Sequence, residues 1–212
     1  MNYQLVLDET LKKIKGVPKL LLHACCAPCS SYCIESLSNY FEITILYYNP
    51  NIDKEEEFDK RFYELDRFIH EFETKYPVHL VNIGYLKEDY EKISEGLENE
   101  PERGARCLKC YELRLDKSFQ YAKENNFDYV TTTLTLSPLK SSKVINEIGK
   151  KLEEKYHFPY LYSDFKKREG YKRSIILSKE YNLYRQDYCG CKYSKKRQKD
   201  LENNHVTCEK LN

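Results

Sequence analysis

The stretch LLLHACCAPCSSYC at residues 20–33 places four cysteines within nine positions, and two further pairs follow in RCLKCYELRL and YRQDYCGC. Thiolates act as nucleophiles, as redox couples and as ligands for soft metals, and the spacing indicates which. Cys25 and Cys26 are adjacent, so they do not readily bridge each other but offer ligands in two directions. Cys26 and Cys29 form a C-x-x-C pair, a pattern shared by metal sites and thioredoxin-like redox motifs. Pro28 fits the first position of a helix, which puts Cys29 in its first turn, where unpaired N–H groups and the helix dipole favour a thiolate. Cys107 and Cys110 lie three apart at a helix start, so both face one way, as in zinc and iron–sulfur sites. Between Cys189 and Cys191, Gly190 allows a tight turn that brings both sulfurs to one centre or into a strained, reducible disulfide. Cys33 reads as a small buried hydrophobe and Cys208 as incidental to the polar tail.

Seven thiols in three clusters exceed what one tetrahedral ion needs. One site of four ligands and a second of three, completed by water, substrate or a carboxylate, fits the count. The total of nine cysteines is odd, which argues against a complete disulfide framework. The amino terminus, MNYQLVLDETLKKIKG, has no long apolar leader, and no stretch approaches the apolar length of a membrane span. These features predict a cytoplasmic chain with no membrane partner, where disulfides rarely persist and cysteines serve metal or redox chemistry.

The thiols need a scaffold. Short apolar runs at 19–24, 42–49, 78–83, 128–134 and 159–165 read as strands, and helical periodicity marks 30–39, 55–76, 85–96, 108–125 and 141–156. Strand alternating with helix predicts an α/β fold with a parallel sheet of about five strands flanked by helices. The loops after the strands then share one rim, which is where open α/β sheets bind ligands. HACCAPC, YNPNID and TLSPLKSS all fall there. Residues 1–165 form the expected metal-binding catalytic domain, and residues 166–212 a basic helical extension that brings Cys189 and Cys191 back to it.

The overall net charge of +1 excludes a global field that would attract polyanions, yet the distribution is uneven. Residues 53–102 carry sixteen acids against seven bases, a net of −9, and residues 164–199 carry twelve bases against four acids, a net of +8. The basic half offers a nucleic-acid face or merely solvated helices. Lys166, Lys167, Arg168, Lys172 and Arg173, interleaved with Phe165 and Tyr171, form a candidate backbone-tracking strip, which YSKKRQK at 193–199 would extend. Arg185 and Gln186 adjoin the C-G-C turn and are candidates for base or phosphate contacts. Asn49 and Asn51 either read polar substrate edges or only form a turn. Ser137, Lys140 and Ser141 either hold a phosphate at a helix start or only cap it. His23, at the end of the first strand, is a candidate proton donor or a turn-fixing residue.

No glycine stands in the loop after the first strand, so a phosphate cradle for ATP is not expected there, and no flavin or nicotinamide fingerprint is visible. LLLHACCAPCS, YYNPNI, RCLKCYELRL, TTTLTLSP and LYRQDYCGC together resemble the motif set of the QueH family of epoxyqueuosine reductases, from about Leu20 to Cys191. The resemblance implies a Rossmann-like (HUP-like) fold and a cobalamin-independent enzyme dependent on iron and sulfide. That enzyme removes the epoxide oxygen of epoxyqueuosine at the wobble position of tRNA. The reaction takes two electrons and two protons and yields an alkene and water, so it requires an external electron donor. The implied cofactors are a [4Fe–4S] cluster and an adjacent mononuclear iron or zinc. The expected allocation gives the cluster to Cys25, Cys26, Cys107 and Cys110, and the second metal to Cys29, Cys189 and Cys191, with His23 and Cys29 in catalytic roles. Competing readings are a metal-dependent tRNA thiolation enzyme, a thiol–disulfide oxidoreductase and a zinc-stabilised RNA-binding module.

Overall fold

The computed structural model describes residues 1–194. The elements are α1 (Tyr3–Lys13), β1 (Lys19–Ala24), α2 (Ala27–Leu37), β2 (Glu42–Tyr47), α3 (Glu55–Glu71), β3 (Val78–Asn82), α4 (Lys87–Ser94), α5 (Ala105–Glu124), β4 (Tyr129–Thr132), a 3₁₀ turn (Thr133–Leu136), α6 (Ser142–Tyr156) and α7 (Gly170–Glu180). No helix among the described residues is long and apolar enough to cross a membrane.

The sheet is parallel, with strand order β3-β2-β1-β4. Side chains alternate between its faces, and β1 is apolar on both because both are covered. Leu20, Leu22 and Ala24 pack under α1, α2 and α3 with Leu7, Ile34, Phe58 and Leu65, whereas Leu21 packs under α5 and α6 with Leu115, Phe119 and Ile145. Two cores sandwich one sheet. From β1 the chain winds outward to β2 and β3, then returns to the other side of β1 as β4. The switch point therefore lies between β1 and β4, where their following loops part and leave a crevice.

The sheet has four strands rather than about five. The run at 159–165 reaches β4 only at Tyr160, which forms a single parallel bridge with Val130. Asn146 of α6 then takes over the backbone. Its Nδ2 donates to the Ser163 carbonyl at 2.8 Å, and its Oδ1 accepts from the Ser163 N–H at 3.1 Å. With those groups satisfied by a side chain, the strand has nothing left to pair. Helix α3 stops at Glu71, earlier than periodicity suggests, because Phe72 turns extended to pack on Phe68 and Tyr181.

Candidate metal centre and substrate cavity

The crevice is a cavity of about 500 Å³ whose walls include Cys25, Cys29, Cys107, Cys110, Cys189 and Cys191. Three separate elements deliver these sulfurs. Cys26 is the N-cap of α2 in an extended conformation, with Pro28 at the second helical position and Cys29 at the third. The sulfurs of Cys25, Cys26 and Cys29 all lie within 4.8 Å of one another. Cys107 and Cys110 lie on one face of α5, within its first two turns. Cys189 and Cys191 come back on the chain after α7, their sulfurs 3.7 Å apart as free thiols. Cys110, Cys189 and Cys191 pack together against Tyr90, and the Cys107 sulfur accepts from the Arg103 N–H at 3.3 Å. Cys25, Cys26 and Cys29 thus gather by themselves, while Cys110 of α5 joins Cys189 and Cys191, a grouping different from the allocation expected from the sequence.

The C-G-C turn is held by groups distant in sequence. Gly190 has φ +109°, and a Cβ there would meet Ile52 at 2.9 Å, so glycine is required on both counts. The Cys189 carbonyl accepts from Asn51 Nδ2 and Arg61 Nη1, each at 3.4 Å, and the Asp53 N–H donates to the Gly190 carbonyl at 3.0 Å. Glu57 pairs with Arg61 at 2.7 Å and also accepts from the Tyr184 hydroxyl, tying the returning chain to α3.

Cations surround the sulfurs. Arg61, Arg103, Arg114, Lys140 and Arg185 line the cavity, against only Glu102 and Asp187 of opposite sign. Hydrogen bonds from Cys26 and Cys29 hold the Cys25 thiol well below its usual range, aided by Lys140 and Arg114, and push their own thiols up. The bond with Cys191 lowers Cys189, again with help from Lys140 and Arg114. These two groups therefore each favour one thiolate, whereas burial pushes both Cys107 and Cys110 up. Burial works against the charge on Lys140, but the facing sulfurs of Cys189 and Cys25 outweigh it and raise the ammonium above its usual range. An all-sulfur donor set under a cationic wall fits a soft metal or an iron–sulfur centre, and not a hard oxygen-seeking ion.

The candidate ligand contacts divide. Asn51, Ser137, Lys140, Arg185 and Gln186 line the cavity. Asn49 is buried, its Nδ2 bracing the Ala24 carbonyl at 2.9 Å at the end of β1. Lys167 and Arg168 are exposed away from the cavity walls, and Arg168 is ion-paired to Asp8. The proposed basic strip is largely neutralised: Arg173 pairs with Glu35 at 2.5 Å, Lys172 with Glu169 at 3.1 Å and Lys166 with Asp164 at 3.2 Å. Phe165 is a core residue and supplies no stacking face. Of YSKKRQK, residues 195–199 lie outside the described residues, as does Cys208.

His23 is placed differently from a proton donor. It is fully buried on β1, its Nε2 donating to the Tyr48 carbonyl at 3.1 Å and its Nδ1 accepting from the Thr132 hydroxyl at 2.9 Å. Burial pushes its pKa down to about 3, with the Arg114 charge adding to the effect. Both nitrogens are engaged, and the imidazole ties β1 to its two neighbours. When unfolded, this side chain binds a proton near pH 6.5, so between about pH 3 and 6.5 the unfolded chain holds more protons and stability falls as pH drops. The expected slope is at most about 1.4 kcal/mol per pH unit. Denaturant titrations across that window are expected to show a shallower slope in His23→Gln; an unchanged slope would mean that His23 is not held neutral.

Arg61, Arg114 and Tyr90 were not among the residues singled out from the sequence. Arg61 stands on the buried stripe Phe58-Arg61-Leu65-Phe68 of α3, and Arg114 on the stripe Cys110-Arg114-Leu115-Phe119 of α5. An arginine within an apolar stripe signals a buried counter-charge.

Comparison with known proteins agrees with this geometry. A family model described as epoxyqueuosine reductase QueH matches residues 20–197. A curated protein named epoxyqueuosine reductase QueH from Streptococcus pyogenes serotype M1 is 42% identical over 203 residues, covering 93% of this chain and 80% of that protein. One of the same name from Staphylococcus epidermidis is 39% identical over 211 residues, covering 93% and 87%. Another from Thermotoga maritima is 32% identical over 194 residues, covering 86% and 94%. A match that spans every thiol lining the cavity is more than a shared fold: the chain belongs to the QueH family of epoxyqueuosine reductases.

Proposed function

We propose that this chain reduces epoxyqueuosine to queuosine at the wobble position of tRNA, in the cytoplasm, with electrons from an external donor. The observation that carries this reading is the cavity at the sheet switch point with six cysteines in its wall, in a chain of this family. Cys107, Cys110, Cys189 and Cys191 are the proposed ligands of a [4Fe–4S] cluster, and Cys25, Cys26 and Cys29 those of a neighbouring iron or zinc. When bound, such a pair supplies single electrons and a Lewis acid for the epoxide oxygen. The protein's own groups set the rest. The Oδ1 of Asn51 and the Oε1 of Gln186 are buried without partners in the cavity wall, ready to accept from donors on the modified nucleoside. Lys140, raised above its ordinary range, holds positive charge where oxygen charge develops. Arg185, anchored through Ser178 at 2.9 Å, is exposed at the rim where a phosphate would pass, with Ser137 on the opposite turn.

Anaerobic purification followed by iron, zinc and sulfide analysis tests this reading. The expected result is roughly four or five irons with four sulfides per chain, a brown chromophore, and conversion of epoxyqueuosine-containing tRNA. Zinc alone after reconstitution with iron and sulfide, with no turnover, would overturn it in favour of a binding module.

A further inference from the structure

The cavity wall ends in an apolar side chain that its position does not explain as packing. Nine large hydrophobic side chains are exposed among the described residues, and Leu139, 55% exposed, is the one that also lines the cavity. It sits on the turn at residues 137–140, beside the exposed Pro138. An exposed turn normally carries polar residues and moves freely. This one is stapled. The Lys140 N–H donates to the Ser137 carbonyl at 3.1 Å, and the Leu139 N–H to the Ser137 hydroxyl at 3.3 Å. Lys166 Nζ then donates to the carbonyls at both ends, Thr135 at 2.8 Å and Lys140 at 3.2 Å. Asp164 fixes Lys166 by an ion pair at 3.2 Å and accepts from Ser142 at the start of α6 at 2.9 Å. A rigid mount for an exposed leucine at a cavity rim is the arrangement of a wedge.

The size of the cavity gives the wedge its task. About 500 Å³ accommodates a single ligand of drug or nucleoside size and not a stretch of RNA. A nucleotide reacting inside must leave the stack, and its neighbours must stay at the rim. Extrusion opens a gap that apolar side chains fill in other base-unstacking proteins. Arg103, Lys140 and Arg185 line the same cavity, none ion-paired to a carboxylate among the described residues, so the rim also carries charge for the flanking phosphates.

We propose that Leu139, on the turn clamped by Lys166, is the wedge that takes the place of the wobble base in the anticodon-loop stack when that base enters the thiol cavity. This positioning role rests on the tRNA reading above.

The test uses an anticodon stem-loop RNA with 2-aminopurine beside the wobble position, whose fluorescence rises on unstacking. Wild-type protein is expected to raise the fluorescence. Leu139→Ala is expected to lose most of that rise and to lower kcat/KM on tRNA by about tenfold or more, with its circular dichroism and metal content unchanged. Leu139→Met, which restores apolar length, is expected to recover both. A full fluorescence rise in Leu139→Ala, or no rise with wild-type protein, overturns the wedge while wild-type turnover of epoxyqueuosine tRNA leaves the reductase reading standing. Absence of wild-type turnover overturns both.

Discussion

Cys25→Ala is expected to cut reductive turnover by about a thousandfold or more, because groups that act as a unit fail together when one is removed. The variant is expected to keep its fold and its affinity for RNA. Cys25 is half-buried in a turn and lines the cavity, 3.7 Å from the Cys26 sulfur and facing Lys140 and Arg114. It is the residue through which the first thiol group meets the positive wall. Alanine there removes a sulfur without opening a core void. Cys33→Ala provides the contrast. Cys33 is fully buried in the packing of α2 and lies outside the cavity wall, so its loss is expected to cost about 1–2 kcal/mol of stability and to leave turnover near wild type. Turnover on epoxyqueuosine tRNA, iron and sulfide content and a thermal melt on both variants check the pair. An active Cys25→Ala enzyme would remove the first group from the chemistry, and an inactive, folded Cys33→Ala enzyme would add a core cysteine to it.

Much of this site was legible because its signals are local. Apolar runs alternating with amphipathic segments define parallel strands, and parallel strands force their following loops onto one rim. HACCAPC, YNPNID and TLSPLKSS are placed together on that logic alone. Long-range partners were not legible. The basic run after residue 165 looked like a nucleic-acid strip because nothing nearby in sequence announces that Asp8 and Glu35 will neutralise Arg168 and Arg173. Lys166 looked like one more base in that run, yet its ammonium is spent on two carbonyls and a carboxylate. His23 reads as chemistry by type and as a cross-strand tie by position, and only the depth of β1 in the sheet decides between them. The grouping of thiols depended on how far the chain after α7 returns, which Glu57, Arg61 and Asn51 determine from α3 and its preceding loop.

Arg114→Met is expected to separate stability from function. Arg114 is buried midway along α5, where its Nε donates to the Cys110 carbonyl at 3.2 Å, and no carboxylate among the described residues pairs with it. Burial opposes its charge, and what sustains it is sulfur: Cys110, Cys25 and Cys189 together hold the guanidinium above its usual range. Without metal only Cys25 and Cys189 of these favour the thiolate, while Cys110 is held protonated by burial, so the buried charge is incompletely compensated and a cost to the metal-free protein. Replacing a buried charge with an apolar side chain of similar size is often neutral or stabilising by about 1–4 kcal/mol. The thermal midpoint of metal-free Arg114→Met is therefore expected to match or exceed that of the parent. Deprotonated thiolates reverse the balance, since metal binding needs them ionised and the cation beside them lowers that cost. Metal retention and turnover are accordingly expected to fall by about tenfold to a hundredfold, the scale on which groups supporting metal ligands act. Melts with and without metal, beside iron content and tRNA turnover, read both halves at once. Wild-type metal content and turnover would show that Arg114 is not the counter-charge of the thiols. A midpoint well below wild type in the metal-free variant would show that its bond to the Cys110 carbonyl holds α5 together instead.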